Sequence, residues 1–127
     1  MAKKIKILLI EDDPFLLSMY ATKFELEGFE IVSADDGERA LKAASKEKPD
    51  IILLDVLLPK LDGFEVLKEL KKNEETKTAP VILLTNLSQR DDVEKGLALG
   101  AVDYLIKAHF MPTEVVEKIK KILAEKK

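Results

Sequence analysis

The sequence predicts a doubly wound α/β domain, a parallel sheet with helices on both faces, and three observations carry that prediction. Five short runs rich in Ile, Val and Leu recur along the chain, stretches with helical apolar period lie between and after them, and Gly and Pro punctuate the joins. Parallel neighbours need connections of roughly a dozen residues or more, and a strand–helix alternation repeated five times supplies them, with right-handed crossovers.

The strands are expected at Ile5–Ile10, Glu30–Ser33, Ile51–Leu54, Val81–Leu84 and Asp103–Ile106. Three of these are almost continuously apolar, which is how a strand covered on both faces reads. The helical stripes are Leu17, Tyr20, Ala21 and Phe24; Ala40, Leu41 and Ala44; Phe64, Leu67 and Leu70; Val93 and Leu97; and Val115, Ile119, Ile122 and Leu123. Each stripe can face a sheet while Lys and Glu face water. Gly28 follows the first helix, Pro49-Asp50 leads into the third strand, Pro80 opens the fourth, and Pro112 suits the first turn of the last helix. Asn73–Ala79 is the longest candidate loop.

The 127 residues fit one domain spanning 1–127, with no linker, internal repeat or output domain among them. A chain of this size buries roughly two-thirds of the surface its unfolded form exposes, enough to fold without a staple. The absence of cysteine removes disulfides and thiolate metal sites, and the apolar run Ile5–Ile10 is too short for a signal peptide, so a cytoplasmic protein is expected. A net charge of −3, from 24 acidic and 21 basic side chains, provides no domain-wide positive field. That argues against direct nucleic-acid binding and against an anionic membrane surface.

In open α/β sheets the working site lies beyond the carboxyl ends of the strands. The first strand runs out into Glu11-Asp12-Asp13, the third into Asp55, the fourth into Thr85 and the fifth into Lys107. If the first, third, fourth and fifth strands lie side by side, carboxylates, a hydroxyl and an ammonium converge on one rim. Carboxylates held together repel one another unless a cation neutralises them, and Mg2+, which takes one or two carboxylates and keeps places for water and phosphate oxygens, is the natural candidate. In such a site a carboxylate can itself be the nucleophile, forming an aspartyl phosphate, while metal and lysine offset the charge on the transferring group. Thr85 then donates a hydrogen bond to a phosphoryl oxygen. Singly, each residue has a plainer reading: Asp12, Asp13 and Asp55 as turn or N-cap residues, Thr85 as a strand end, Lys107 as an exposed charge. Their joint occurrence at successive strand ends is what favours chemistry.

These residues resemble the receiver domains of two-component response regulators over essentially the full chain. The resemblance rests on Ile7-Leu8-Leu9-Ile10-Glu11-Asp12-Asp13-Pro14, on Pro49-Asp50-Ile51-Ile52-Leu53-Leu54-Asp55-Val56-Leu57-Leu58-Pro59, and on Asp62-Gly63-Phe64-Glu65-Val66-Leu67. Pro80-Val81-Ile82-Leu83-Leu84-Thr85 and Gly100-Ala101-Val102-Asp103-Tyr104-Leu105-Ile106-Lys107 complete the set. It implies a flavodoxin-like five-stranded parallel sheet of order 2-1-3-4-5 flanked by five helices. It also implies a phosphorylation switch rather than an enzyme, one that catalyses only its own phosphorylation and dephosphorylation. Asp55 becomes the phosphoacceptor; Glu11, Asp12, Asp55 and the backbone carbonyl of Leu57 become the Mg2+ site, with Asp13 a less secure member. Thr85 and Lys107 hold the phosphoryl oxygens, and the rotamer of Tyr104 follows Thr85. The implied partners are a histidine kinase or phosphotransfer protein and an output protein docking on the face formed by Arg90–Leu99, Asp103–Ile106 and Thr113–Glu125.

Two positions depart from the family's pattern. Ala108 stands where proline usually follows the lysine, often through a cis bond, and a cis bond before a non-proline residue costs about 2.5–4 kcal/mol. Asn86 replaces the usual small residue after Thr85, where its amide is expected to influence access to the phosphoryl group. His109, the single histidine, has no second ligand pattern and is read as an exposed loop residue. The competing readings are a Mg2+-dependent phosphatase or phosphotransferase with an Asp nucleophile, which would want an acid where this chain has Leu57, and a degenerate receiver that never takes phosphate.

Overall fold

The computed structural model describes residues 4–56, 58, 62–85, 90–106 and 112–126, the side chains of Arg90, Pro112 and Lys126 excepted. Strand and helix alternate five times: β1 (Lys6–Ile10), α1 (Pro14–Leu26), β2 (Glu30–Ala34), α2 (Gly37–Glu47), β3 (Ile51–Asp55), α3 (Gly63–Lys72), β4 (Val81–Thr85), α4 (Arg90–Ala98), β5 (Asp103–Ile106) and α5 (Pro112–Lys126). All four strand pairings are parallel, in the order β2-β1-β3-β4-β5. The fold class and strand order are those expected. The strand bounds shift at the ends: Ile5 lies outside β1, while Ala34, Asp55 and Thr85 are the last residues of their strands rather than the first residues beyond them. Ladder pairing carries that far because Asp55 is in register with Leu84, and Thr85 with Ile106.

Two apolar clusters sandwich the sheet. Leu8, Ile10, Ile52, Leu54, Val81 and Leu83 face α2 and α3, and the alternate residues Ile7, Leu9, Ile51, Leu53, Ile82 and Leu84 face α1 and α5. This is the period-2 alternation of a sheet buried on both sides, and it explains why the central strands read as unbroken apolar runs.

The helices begin and end on local chemistry. Asp13 caps α1, its Oδ1 accepting from the N–H groups of Phe15 and Leu16 at 2.9 and 3.3 Å; Asp36 and Asp62 cap α2 and α3 in the same way. At the C-terminus of α1, Gly28 takes φ +94°, donating to the Glu25 carbonyl while Phe29 donates to that of Phe24, and the two Phe rings meet edge to face. Gly100 (φ +116°) ends α4 identically, with Ala101 donating to Gly96. Both are Schellman endings, in which the left-handed residue is glycine because a Cβ is disfavoured there. The stretch Asn73–Ala79 is a turn whose centre is tied inward: the buried Thr76 hydroxyl donates to the Leu70 carbonyl at 2.6 Å.

Candidate metal centre

At the carboxyl ends of β1 and β3, Glu11, Asp12 and Asp55 each present a carboxylate oxygen within 4.8 Å of those of the other two. Three formal negative charges at this separation repel strongly where burial thins the solvent, and a hard divalent cation is the partner that such a set of oxygens suits. Glu11 is wholly buried and Asp55 is 2% exposed, whereas Asp12 faces water, so the cluster has two inner walls and one open side.

Local structure holds each carboxylate in place. Glu11 continues the β1–β2 ladder, its N–H donating to the Ala34 carbonyl at 3.1 Å, and its Oε2 accepts from the Asp13 N–H at 3.1 Å. The backbone turn that lets Asp13 cap α1 thus also orients Glu11. Asp13 itself lies outside the carboxylate group, which agrees with its plainer reading as an N-cap. Asp55 is fixed as the last residue of β3, and the next N–H, of Val56, donates to the Leu84 carbonyl.

Below Asp55 the chain returns at Gly63. A Cβ at that position would lie 2.5 Å from the Asp55 carbonyl oxygen and 2.6 Å from Val56 Cα, and the Gly63 N–H donates to the Val56 carbonyl at 3.1 Å. The first turn of α3 therefore rests directly on the backbone of the aspartate. The signal for this turn in the sequence is an Asp-Gly pair opening an apolar helical period, since Asp is a preferred N-cap.

Thr85 ends β4, buried at 1% exposure. It shares a sheet face with Val81 and Leu83, on the side of α2 and α3. Tyr104 stands opposite Leu83 in the β4–β5 register, so it is diagonal to Thr85 on that same face, and at 38% exposure it is open to solvent. Leu57, Asn86, Lys107, Ala108 and His109 lie outside the described residues, so the expectations attached to them, the Lys107–Ala108 peptide included, stand as sequence readings. Among the described residues no peptide bond is cis, and no helix is long and apolar enough to cross a membrane.

The family of response regulator receiver domains matches residues 7–120 of the chain. The alkaline phosphatase synthesis transcriptional regulatory protein PhoP of Bacillus subtilis is 43% identical over 118 residues, which make up 93% of this chain and 48% of that protein. The chain thus spans about half the length of the curated relatives it matches. Among solved structures, the receiver domain of a sensor histidine kinase from Pseudomonas aeruginosa superposes with a TM-score of 0.88 at 30% identity, covering 96% of this chain and 99% of that one. That structure has a magnesium ion coordinated in its active-site cleft. The receiver domain of Francisella response regulator 1452 gives a TM-score of 0.87 at 32% identity, covering 98% of this chain and 100% of that one.

Proposed function

We propose, from the premise that the chain belongs to the response regulator receiver domain family and so works in two-component signalling, that Asp55 is the phosphoacceptor and that Mg2+ is held by Glu11, Asp12, Asp55 and the Leu57 carbonyl. The observation that carries this is the meeting of the three carboxylates within 4.8 Å at the ends of two neighbouring strands. The magnesium coordinated in the cleft of the Pseudomonas receiver domain supports it by likeness. Bound there, Mg2+ would offset negative charge on the three carboxylates and on the transferring group.

Asp55 attacks phosphorus through a carboxylate oxygen, and the bond from phosphorus to the imidazole nitrogen of a histidine kinase or phosphotransfer protein breaks, leaving its electron pair on that nitrogen. Glu11, oriented by the Asp13 N–H, and Asp12, on the open side, would hold the metal together with Asp55. Thr85 and Lys107 hold phosphoryl oxygens. Their movement toward Asp55 alters what lies diagonal to Thr85, the exposed Tyr104, and so the face built from α4, β5 and α5. An output protein or domain reads that face.

Leucine at position 57 leaves the Asp-nucleophile phosphatase reading without its second acid. Incubation with acetyl phosphate and Mg2+, followed by mapping of the modified residue, tests the proposal. Magnesium-dependent, single-turnover labelling at Asp55 is expected, and labelling that persists undiminished in Asp55→Asn overturns it.

A further inference from the structure

We propose that Lys95 is a positioning residue: its contact with Phe64 ties α4 to the turn beneath the phosphoacceptor and so opposes the switch, a reading that rests on Asp55 being that acceptor. Lys95 Nζ stands 4.5 Å from the centroid of the Phe64 ring, a cation–π contact between α4 and α3. Phe64 is partly buried against the core cluster and follows Gly63, the residue whose backbone admits no Cβ over Asp55 and Val56. The ring is therefore carried on a turn whose backbone abuts that of Asp55.

The next residue of α4, Gly96, packs against a side chain of β4. A Cβ there would collide with Leu83 Cδ1, two residues before Thr85 on the same face of β4. Positions 95 and 96 thus connect one turn of α4 to the first turn of α3, which abuts the Asp55 backbone, and to β4, which ends in Thr85. Drawing Thr85 toward Asp55 displaces the end of β4, Leu83 and the helix seated on it, whereas Phe64, anchored through Gly63, does not follow. The Lys95–Phe64 contact belongs to the arrangement described here and is stretched by that movement, so it biases α4 against switching.

Exposed cation–π contacts are weak, so the bias is a few-fold. Its sign is diagnostic. Removing a cation near an anion-binding site should weaken anion binding by Coulomb attraction alone, while release of this contact should strengthen it.

The test is a titration of the 127-residue chain with beryllofluoride, a phosphoryl analogue, in excess Mg2+, followed by backbone amide NMR shifts. Lys95→Met is expected to bind about 2–5-fold more tightly than wild type, and Lys95→Arg, which keeps the cation over the ring, to match wild type. Phe64→Leu should reproduce Lys95→Met, and the double variant should add nothing further. Unchanged or weaker binding by Lys95→Met, or additive effects in the double variant, overturns the proposal. Wild type that shows no response to beryllofluoride overturns the phosphoacceptor reading and the Lys95 contact together; a normal wild-type response with an unaltered Lys95→Met affinity overturns the contact alone.

Discussion

The two edges of the central sheet carry charge in opposite ways. At the amino-terminal edge, Lys6 Nζ lies 3.2 Å from Glu47 Oε1 and 3.7 Å from Glu30 Oε2, and its backbone N–H donates to Asp50 at 2.8 Å, so each charge has an opposite or a dipole beside it. At the carboxyl-terminal edge, Glu11, Asp12 and Asp55 gather like charges within 4.8 Å. The first arrangement lowers the energy of the fold by a modest amount. In the second the carboxylates repel one another, and β1, β3 and the Asp13 turn hold them together all the same. Substitutions at one edge should therefore change stability without chemistry, and at the other chemistry without a comparable loss of stability.

The largest effect should come from Asp55→Asn, which is expected to abolish acetyl phosphate labelling while keeping the urea midpoint close to the wild-type value, since Asn keeps the shape of the side chain and relieves the mutual repulsion of the three carboxylates. A midpoint well below wild type would show that Asp55 serves the fold and would break the contrast. Gly63→Ala should be next, because its Cβ must enter backbone that has nowhere to go; a loss of about 1–3 kcal/mol in urea unfolding is expected, the usual scale of overpacking. Saturating Mg2+ at about 100 times its dissociation constant should raise wild-type stability by about 2.7 kcal/mol, and Asp12→Asn should remove most of that increment. If Asp12→Asn responds to Mg2+ as wild type does, Asp12 is no ligand.

Smaller effects separate the cap from the site. Asp13→Ala should lose about 1 kcal/mol with the α1 N-cap, yet keep its Mg2+ response, because Glu11 is oriented by the backbone N–H of residue 13 and not by its side chain. Lys6→Met at the opposite edge should cost about 0.5 kcal/mol, the scale of partly exposed ion pairs, and leave the labelling rate at the wild-type value. A slower labelling rate there would show the two edges to be coupled.

Much of this contrast was legible before any coordinates. Glu11, Asp12, Asp55 and Thr85 each sit where an apolar run stops, and the working edge of a parallel sheet is where its strands stop. Asp13 was ambiguous for a physical reason: an aspartate after a strand serves equally well as a ligand or as a helix cap, and only the 2.9 Å bond from the Phe15 N–H separates the two. The place of Tyr104 beside Thr85 was implied by family resemblance alone, and its exposure is decided by β5 lying at the sheet's edge. The Phe64–Lys95 contact left no trace in the sequence, since the two residues lie on different helices far apart in the chain.

By itself the sequence determined the number, type and sequence of elements, the buried faces of its strands and the residues at their ends, because these follow from periodicity, capping and turn chemistry within a few residues. Strand order came from family resemblance. Only the tertiary structure decided which oxygens meet within 4.8 Å, why no Cβ fits at Gly63, and which helix rests on the strand of Thr85. Those are relations between segments far apart in the chain, set by inter-strand register and by the close packing of two opposed layers, and no local pattern encodes such distances.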